Sequence, residues 1–412
     1  MLTCAIVDAY GPGMYFVPLL KEKGHNIIHI QSTNSIPTPF RDFIENAGFI
    51  ANIVYENNVD EVINFLQKNN VTCVIPGFET GVMTADILSE KLETKTNGTT
   101  FSAARRNKSL MMDALRAKKV PTVKYFKTND VQSAIEWVST NTNYPVVAKP
   151  VDSASSEDVY ICRNDKELEI ACNKIINKTN LMGSTNNEAL IQSFLEGTEY
   201  VVNSVSCEGK HYITDIWECK KRIVDNRIIY DKEELLPFDG EPQSKLVAYI
   251  YQVLDALGIK YGSAHSEIIL TKNGPILLET GARIGGAVNP TIHQECFGHS
   301  QTELNIDAYM DPKSFFKKTV KPYKILKYLY VVMAISQKEG LIKNITLDDN
   351  FKSQLTSLRF MRLKKKPGDR LQKTIDLNSS PATIYLASEN KEQLEKEYQI
   401  LLSLIDDGFE LQ

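Results

Sequence analysis

Two glutamates on either side of a short turn are the residues whose spacing most directly suggests chemistry. Glu267 and Glu279 lie in apolar, strand-like segments joined by Lys272-Asn273-Gly274, at equal distances from Asn273. In a β-hairpin whose loop has an odd number of residues, the two side chains lie opposite each other on one face, with Cβ atoms about 5 Å apart. A loop with an even number of residues would place them on opposite faces.

Two opposed carboxylates repel each other unless a cation lies between them. Oxygen ligands suit Mg²⁺, which usually keeps some water and takes phosphate oxygens as its remaining ligands. The alternative is a pair of exposed glutamates on a surface hairpin, but exposure would also leave Ile269 and Leu277 in water. The pattern therefore predicts a magnesium site that also binds phosphate.

The residues that follow Glu279 suit an anionic reacting group. Arg283 comes four residues later and is followed by Gly285 and Gly286. A guanidinium has a permanent charge and a planar fork that matches phosphate or carboxylate oxygens, and the glycines could present backbone N–H donors. Without the neighbouring glutamates this segment would be an ordinary loop.

A lysine at the end of an apolar strand precedes a run of small residues. Lys149 closes the segment 145–149, and the run 152–156 leads into a strand-like segment at 159–162. Backbone amides and hydroxyls in such a turn can close over phosphates. A serine-rich surface turn is the alternative, and these residues alone do not decide between the two.

A further segment, 191–199, joins two strand-like runs and suits a nucleotide cleft. Its apolar part could offer backbone groups to an adenine edge, and Glu199 could receive ribose hydroxyls. As an isolated string it is unremarkable, so its meaning depends on its neighbours.

The first hundred residues alternate strand and helix signals, which predicts a parallel sheet with helices on both faces. Strands are expected at 3–7, 26–30 and 71–75, with a helix ending at Lys23 and another at 60–69. The loop Gly11-Pro12-Gly13 resembles a dinucleotide-binding turn. It lacks the third glycine and the acidic residue after the second strand, so a tight βα turn is favoured.

From Tyr144 onward the sequence is rich in strand signals and less regular. Strands are predicted at 145–149, 189–194, 200–206, 211–217, 263–270 and 275–279, and helices at 108–118, 243–257 and 391–404. The last hundred residues are mixed and carry no motif that indicates chemistry.

Composition narrows the class of protein. A chain of 412 residues exceeds one hydrophobic core, so two or three domains are expected. The net charge of −4 disfavours a nucleic-acid partner, and the basic runs at 220–222 and 364–366 fit solvated faces. No apolar run approaches the roughly 20 residues of a membrane helix, and seven scattered cysteines form no CxxC pair. We expect a cytoplasmic protein with reduced thiols and no membrane partner.

Taken in order, these motifs resemble the ATP-grasp superfamily over about 107–286, and the segment 75–81 looks like the domain that precedes ATP-grasp folds. The resemblance implies an α/β protein with three parts. An N-terminal Rossmann-like (pre-ATP-grasp) domain would span 1–106. The ATP-grasp nucleotide-binding region would span 107–300, with a lid at about 122–196, and a mixed α+β C-terminal region would span 301–412.

The resemblance also implies roles for individual residues. ATP phosphates would contact Lys108 and Lys149 beneath a loop that contains Ser153, Ser155 and Ser156. Adenine would lie against Gln192, Ser193, Phe194 and Leu195, with the ribose at Glu199. Glu267 and Glu279 would hold magnesium, as two ions, with Mn²⁺ as a substitute. Arg283 would stabilise the acyl phosphate and the tetrahedral intermediate, and Glu79, Gly285 and Gly286 would lie near the amino-acid site.

Within the superfamily the chain looks most like the bacterial L-amino-acid ligases, which join two free amino acids, and among these like the arginine-selective type of rhizocticin biosynthesis. This implies a ligase of antibiotic biosynthesis that forms an aminoacyl phosphate from ATP and couples it to a second amino acid. L-Arginine would be the N-terminal residue of the dipeptide, and ADP and phosphate would be released.

The sequence departs from the family pattern at three places. Gln192 stands where many relatives have glutamate, Gly281 where many have a metal-binding asparagine, and the phosphate loop is serine-rich. The alternatives are a purine-pathway or carboxylase-like ligase of the same superfamily and an ATP-binding module without catalysis. Whether the chain acts as a monomer or a homodimer is left open.

Overall fold

The first strands of the chain form a parallel sheet, in agreement with the alternating signals of the sequence. The computed structural model describes residues 1–34, 36, 41–56, 58–152, 158–179, 185–224, 227–347, 351 and 353–412. Strands β1 (Thr3–Val7), β2 (Asn26–Gln31), β3 (Ala51–Val54) and β4 (Val71–Pro76) lie in the order β3-β2-β1-β4. Alternate side chains of β1 belong to two different apolar clusters, so both faces of the sheet are covered.

Four helices accompany this sheet: α1 (Phe16–Glu22), α2 (Arg41–Asn46), α3 (Val59–Lys68) and α4 (Val82–Lys91). The turn after β1 is tight, as the sequence predicts. A Cβ atom on Gly13 would lie only 2.3 Å from the Gly77 carbonyl oxygen, so no larger residue fits there without a backbone shift.

A second sheet consists of four antiparallel strands, β5 (Tyr125–Thr128), β6 (Val146–Pro150), β7 (Tyr160–Cys162) and β8 (Ala189–Ser193), in the order β5-β8-β6-β7. Helices α5 (Lys108–Ala117), α6 (Val131–Asn141) and α7 (Asp165–Ile175) occur in the same part of the chain. The last two pack on this sheet through a cluster that includes Val138, Ala148 and Leu168. Each begins at a side-chain cap, Asp130 for α6 and Asn164 for α7.

The largest sheet has eight antiparallel strands and includes strands from the C-terminal region. They are β9 (Thr198–Cys207), β10 (Lys210–Val224), β11 (Arg227–Leu236), β12 (Gly262–Thr271), β13 (Gly274–Gly281), β14 (Tyr328–Met333), β16 (Leu358–Leu363) and β18 (Ala382–Ser388). Their order is β13-β12-β9-β10-β11-β14-β18-β16. The C-terminal region therefore continues the central sheet.

Helices join the central sheet to its neighbours. Those that follow α7 are α8 (Glu241–Ala256), α9 (Pro290–Phe297), α10 (Gln301–Met310) and α11 (Pro312–Lys318). The largest apolar cluster contains Met112 of α5, Leu254 of α8 and Ile268 of β12. On α10, Ile306 packs with the N-terminal sheet and Leu304 with the central sheet, so this helix connects the two.

The end of the chain adds a three-stranded sheet, β15 (Gly340–Ile345), β17 (Arg370–Leu371) and β19 (Phe409–Leu411), in the order β17-β15-β19. Helix α12 (Lys391–Leu404) packs with it and with β14 and β18 through a separate apolar cluster that includes Ile342, Ile384 and Leu401. The sequence predicts α12 with the same limits.

The strands and helices predicted from the sequence are present, with limits that differ by a few residues, except that β10 continues to Val224. The sequence analysis misses β11 because charged residues interrupt its apolar pattern. Asp231 and Lys232 are nonetheless buried, since Asp231 accepts a hydrogen bond from Tyr398 and Lys232 pairs with Glu395. All seven cysteine side chains are buried. Among the described residues, no helix has the length and apolar character needed to cross a bilayer.

Candidate active site

Glu267 and Glu279 lie opposite each other, but for a different reason than the sequence predicts. The turn between β12 and β13 has two residues, so the loop is even and would by itself place the glutamates on opposite faces, and Ile268 pairs with Leu277. A β-bulge at Leu278 then shifts the register by one residue and places Glu267 opposite Glu279. The facing arrangement of the two carboxylates is confirmed.

A tyrosine from another element supports the bulge. The backbone N–H of Leu277 donates a hydrogen bond to the Tyr249 hydroxyl of α8 over 2.9 Å, and that hydroxyl donates to the Pro121 carbonyl over 2.7 Å. A bulge disrupts the ladder locally, and a buried backbone donor must then find another partner. Tyr249 supplies that partner and fixes the hairpin against α8.

The face that carries the two glutamates lines a cavity of about 610 Å³, a size typical of small-molecule sites. Residues predicted to bind nucleotide or metal that lie in its wall are Lys108, Lys149, Gln192, Ser193, Phe194, Leu195, Glu199, Glu267 and Glu279. The structure therefore brings the proposed phosphate, adenine, ribose and metal residues around one space. Ser153, Ser155 and Ser156 lie outside the described residues.

The charges of the cavity residues predicted to bind phosphate and metal are coupled. Lys108 Nζ lies 2.6 Å from Glu279 Oε2. Burial opposes the charge of Lys108, but Glu279 outweighs this effect and raises the lysine pKa. Burial also opposes ionisation of Glu279, but Lys108, with help from Lys149 and Arg283, lowers the pKa of Glu279 to about 2. Glu279 is therefore ionised at neutral pH.

Lys149 differs from Lys108 because no carboxylate pairs with it in the described part of the chain. Burial, followed by repulsion from Lys108, lowers the pKa of Lys149 to about 8. Lys149 is the penultimate residue of β6 and is only 7% exposed. An anion that enters the cavity would pair with this buried positive charge. The position of Lys149 therefore suits a phosphate ligand.

The two facing carboxylates fit a divalent cation that is bound together with a nucleotide. Within the described ranges, no cluster of three or more His, Cys, Asp or Glu residues is placed to hold a metal ion. Glu267 and Glu279 would therefore supply only part of a coordination shell. Mg²⁺ tolerates this, because it takes water and phosphate oxygens as its other ligands, and the cavity has room for both.

Glu199, which is predicted to receive the ribose, is held firmly in the cavity wall. Its Oε1 accepts a hydrogen bond from the Tyr230 hydroxyl and its Oε2 lies 2.6 Å from Lys221 Nζ. Lys221, which the sequence analysis assigns to a solvated face, lines the cavity instead. Nearby, Gln192 is 3% exposed and its Nε2 has no hydrogen-bond partner among the described residues. An adenine ring could satisfy that amide.

Arg283 lies beside the main cavity. It lines a space of about 10 Å³ together with Glu79, Arg106, Lys108 and Glu279, so Lys108 and Glu279 border both spaces. Its Nε lies 2.7 Å from Glu79 Oε2. Arg283 is therefore placed next to the lysine–glutamate pair, as expected of a residue that acts on a phosphorylated group.

The two glycines predicted to lie near the substrate differ. Gly285 N donates to the Gln301 side chain over 2.8 Å, so the predicted role of this N–H as an anion donor is wrong. A Cβ on Gly285 would also lie 3.0 Å from His265 Nδ1. Gly286, by contrast, has open space where a Cβ would be.

Several cavity residues are missed by the sequence analysis. His265 is hydrogen-bonded to Asn203 Oδ1, and its Nε2 lies 3.6 Å from Glu267 Oε1. Its place directly before Ser266-Glu267 is a signal that could have identified it. Glu233 and the segment 375–377 also line the cavity, but β11 and the C-terminal region give no local sign of this.

Comparison with known proteins identifies the family of the chain. Residues 142–291 match the family model described as ATP-grasp domain. Dapdiamide A synthase of Enterobacter agglomerans is 32% identical over 393 residues, which cover 93% of this chain and 91% of that relative.

Solved structures share the fold over the whole chain. An L-amino acid ligase from Bacillus licheniformis has a TM-score of 0.78 at 19% identity, covering 100% of this chain and 99% of the other. The N5-carboxyaminoimidazole ribonucleotide synthetase from Thermotoga maritima has a TM-score of 0.68 at 17% identity, covering 100% and 99%. The chain therefore belongs to the family of ATP-grasp ligases that includes dapdiamide A synthase and is an ATP-dependent carboxylate–amine ligase.

Proposed function

We propose that this ligase joins two free amino acids into a dipeptide, with L-arginine as the N-terminal residue, and releases ADP and phosphate. The observation that carries the proposal is the facing pair Glu267 and Glu279, with Lys108 and Lys149 around the same cavity and Arg283 beside it. This arrangement suits phosphoryl transfer to a carboxylate followed by acyl transfer to an amine.

In the first step, a carboxylate oxygen of the first amino acid would attack the γ-phosphorus of ATP, giving an acyl phosphate and ADP. Lys108 and Lys149 would bind the phosphate oxygens and neutralise their negative charge during transfer. Two magnesium ions, bound by Glu267 and Glu279, would supply further charge neutralisation. Gln192 to Leu195 would hold the adenine and Glu199 the ribose.

In the second step, the amine of the second amino acid would attack the acyl carbon, and the C–O bond to phosphate would break. Arg283 would stabilise the negative charge that develops on the tetrahedral intermediate, where removal of one good donor typically costs ~3 kcal/mol. The lid predicted at about 122–196 would have to exclude water, which otherwise hydrolyses the acyl phosphate.

Arginine as the first substrate is supported by carboxyl groups in the cavity wall. Glu233 and Asp376 both line the cavity, and neither forms an ion pair with a described residue. Burial and repulsion from Glu267 raise the pKa of Glu233 to about 8. A bound guanidinium would compensate such a carboxyl group and favour its ionised form.

An amino-acid screen tests the proposed function. Pairs of free amino acids are incubated with ATP and Mg²⁺, ADP release is followed, and products are identified by mass. We expect ADP release to require an amino acid and arginine to give dipeptides with an arginine N-terminus. If no amino acid stimulates ADP release, a purine-pathway or carboxylase-like substrate becomes the better proposal.

Two variants test the site assignment in the same assay. Glu279→Gln removes the ionised metal ligand and Arg283→Ala removes the oxyanion donor, so each should lose nearly all amino-acid-dependent phosphate release while remaining folded. Wild-type turnover in either variant would show that the site is assigned wrongly.

A further inference from the structure

Glu79 is predicted to lie near the amino-acid site, but each of its two carboxylate oxygens already forms an ion pair with an arginine. It follows β4 at the start of a 3-10 turn, Glu79–Gly81. Its Oε1 lies 2.8 Å from Arg106 Nη1 and its Oε2 lies 2.7 Å from Arg283 Nε. All three side chains are largely buried, with 9 to 14% of each exposed.

A carboxylate between two guanidinium groups is poorly suited to bind a substrate ammonium. A cation that approached Glu79 would meet the positive charges of Arg106 and Arg283 at short range. Burial opposes ionisation of Glu79, but Arg283 and Arg106 outweigh it and lower the carboxyl pKa. Glu79 is thus a fixed anion whose charge is already compensated.

The same contacts determine how Arg283 is oriented. Its Nε donates to Glu79, and its Nη1 donates to the Ile284 carbonyl over 3.0 Å. In the described part of the chain, no residue accepts a hydrogen bond from Nη2. The guanidinium is therefore held along one edge while another remains available to a ligand, which is the arrangement expected of a pre-organised catalytic group.

The second arginine connects this pair to the strand that carries Lys149. Arg106 Nη2 lies 2.9 Å from Asp152 Oδ1, two residues after β6 ends, and Lys108 N donates to the Val151 carbonyl over 3.1 Å. The neighbouring Arg105 is fully buried and paired with Asp86 at 2.7 Å, which anchors the segment. Arg106, which binds Glu79, is therefore itself held in place by its neighbours.

The absence of a side chain at Gly281 fits this arrangement. A Cβ atom there would lie 2.9 Å from Glu79 Oε2 and 3.3 Å from Arg283 Cζ. The space that a larger residue at 281 would need is therefore occupied by the Glu79–Arg283 pair. Replacing this glycine would displace the pair without removing a charge.

From this geometry we propose that Glu79 and Arg106 are positioning residues that orient Arg283 for acyl transfer, and that Glu79 does not bind a substrate amino acid. The inference rests on the proposed function of Arg283. It assigns the N-terminal sheet a part in the second chemical step.

A double-mutant comparison tests this inference. Wild type, Glu79→Gln, Arg283→Lys and the double variant are assayed for ADP release and dipeptide formation at saturating substrates. Glu79→Gln should lower kcat by 10- to 100-fold, because displacing a catalytic group by about 1 Å can cost ~10²-fold. The KM of each amino acid should stay within about twofold, and Glu79→Gln should cause no further loss beside Arg283→Lys.

Gly281→Ala provides a second variant in case loss of the buried carboxylate prevents folding. It should lower kcat in the same way, and it should likewise have little effect in the Arg283→Lys background. Glu339→Gln is the matched control. It breaks an exposed pair with Arg370 of 2.6 Å, neither residue of which lines the cavity, and should leave kcat unchanged.

The inference is overturned if the two losses multiply, or if Glu79→Gln mainly raises the KM of an amino acid, because a substrate ligand would behave in that way. These outcomes differ from failure of the proposed function itself. In that case the wild-type chain would show no amino-acid-dependent ADP release.

Discussion

At the scale of single residues, the two lysines predicted to bind phosphate differ in how strongly they hold a proton. Lys108 is paired with Glu279, whereas burial and the charge of Lys108 lower the pKa of Lys149 to about 8. An exposed lysine titrates near pH 10.4. The charged form of Lys149 therefore costs folding stability below about pH 8, and this cost disappears as the pH rises from there towards the pKa of the unfolded chain.

Nucleotide binding should reveal this difference. Because phosphate binds the protonated form of Lys149, the Kd for ATP should rise above about pH 8, by at most tenfold per pH unit. Lys149→Arg should remove this dependence, because guanidinium stays charged. Calorimetry between pH 7 and 9.5 measures both proteins, and an unchanged pH profile in Lys149→Arg would assign the dependence to another group.

Residue types and spacing predict much of the site at this scale, and the resemblance to the ATP-grasp superfamily adds Lys108. Lys108, Lys149, Glu199, Glu267 and Glu279 all reach the cavity. The sequence does not reveal that Gly285 N is already occupied, because its acceptor, the Gln301 side chain, belongs to a later helix.

At the scale of secondary structure, the hairpin depends on a contact that local sequence does not encode. A two-residue turn alone would place the glutamates out of register, and the bulge at Leu278 restores it. The bulge is supported by Tyr249, which belongs to α8, outside the hairpin. Turn residues and apolar alternation therefore predict the hairpin but not its irregularity.

Tyr249→Phe should weaken both the fold and the metal site. It leaves the buried Leu277 N–H unsatisfied, which should cost about 1–3 kcal/mol in the free energy of unfolding. Because the register of Glu279 is then less firmly held, the Mg²⁺ concentration for half-maximal activity should rise. Urea unfolding and a magnesium titration measure the two effects.

Tyr323→Phe is the control for this prediction. Its hydroxyl donates to the Leu236 carbonyl over 2.6 Å, so the variant loses a comparable hydrogen bond away from the hairpin. It should lose stability without a change in magnesium dependence. An equal magnesium effect in both variants would argue against a specific role of the bulge.

At the scale of the whole molecule, the C-terminal region completes both the central sheet and the cavity. Strand β11 pairs with β14, and Leu329 and Val331 belong to the largest apolar cluster. The segment 375–377 forms part of the cavity wall. The division into domains at 106 and 300 remains a prediction, and these contacts show that residues beyond 300 serve the same site.

Truncation tests this continuity. A chain ending at residue 300 would expose the edge of β11 and part of its apolar cluster, so it should be insoluble or lack a cooperative thermal transition. Far-UV circular dichroism and nucleotide binding measure this against the full chain. A truncated chain that melts cooperatively and binds ATP would show that the C-terminal region is dispensable for folding.

The order of the motifs resembles that of the ATP-grasp superfamily, and this resemblance implies the fold that brings the lysines, the adenine segment and the metal carboxylates around one nucleotide cleft. Glu79 lies early in the sequence and the segment 375–377 lies near its end, yet both border the site. Such long-range contacts depend on how the sheets pack together, and a pattern in one segment does not show them.

Oxygen transfer from the first amino acid tests the central claim most directly. The chain is incubated with ATP, Mg²⁺, a second amino acid and arginine labelled with ¹⁸O in its carboxylate, and the products are analysed by mass. An acyl phosphate predicts one labelled oxygen in each phosphate released, in equal amount to ADP and dipeptide. Dipeptide formation with unlabelled phosphate, or with AMP in place of ADP, would contradict the account.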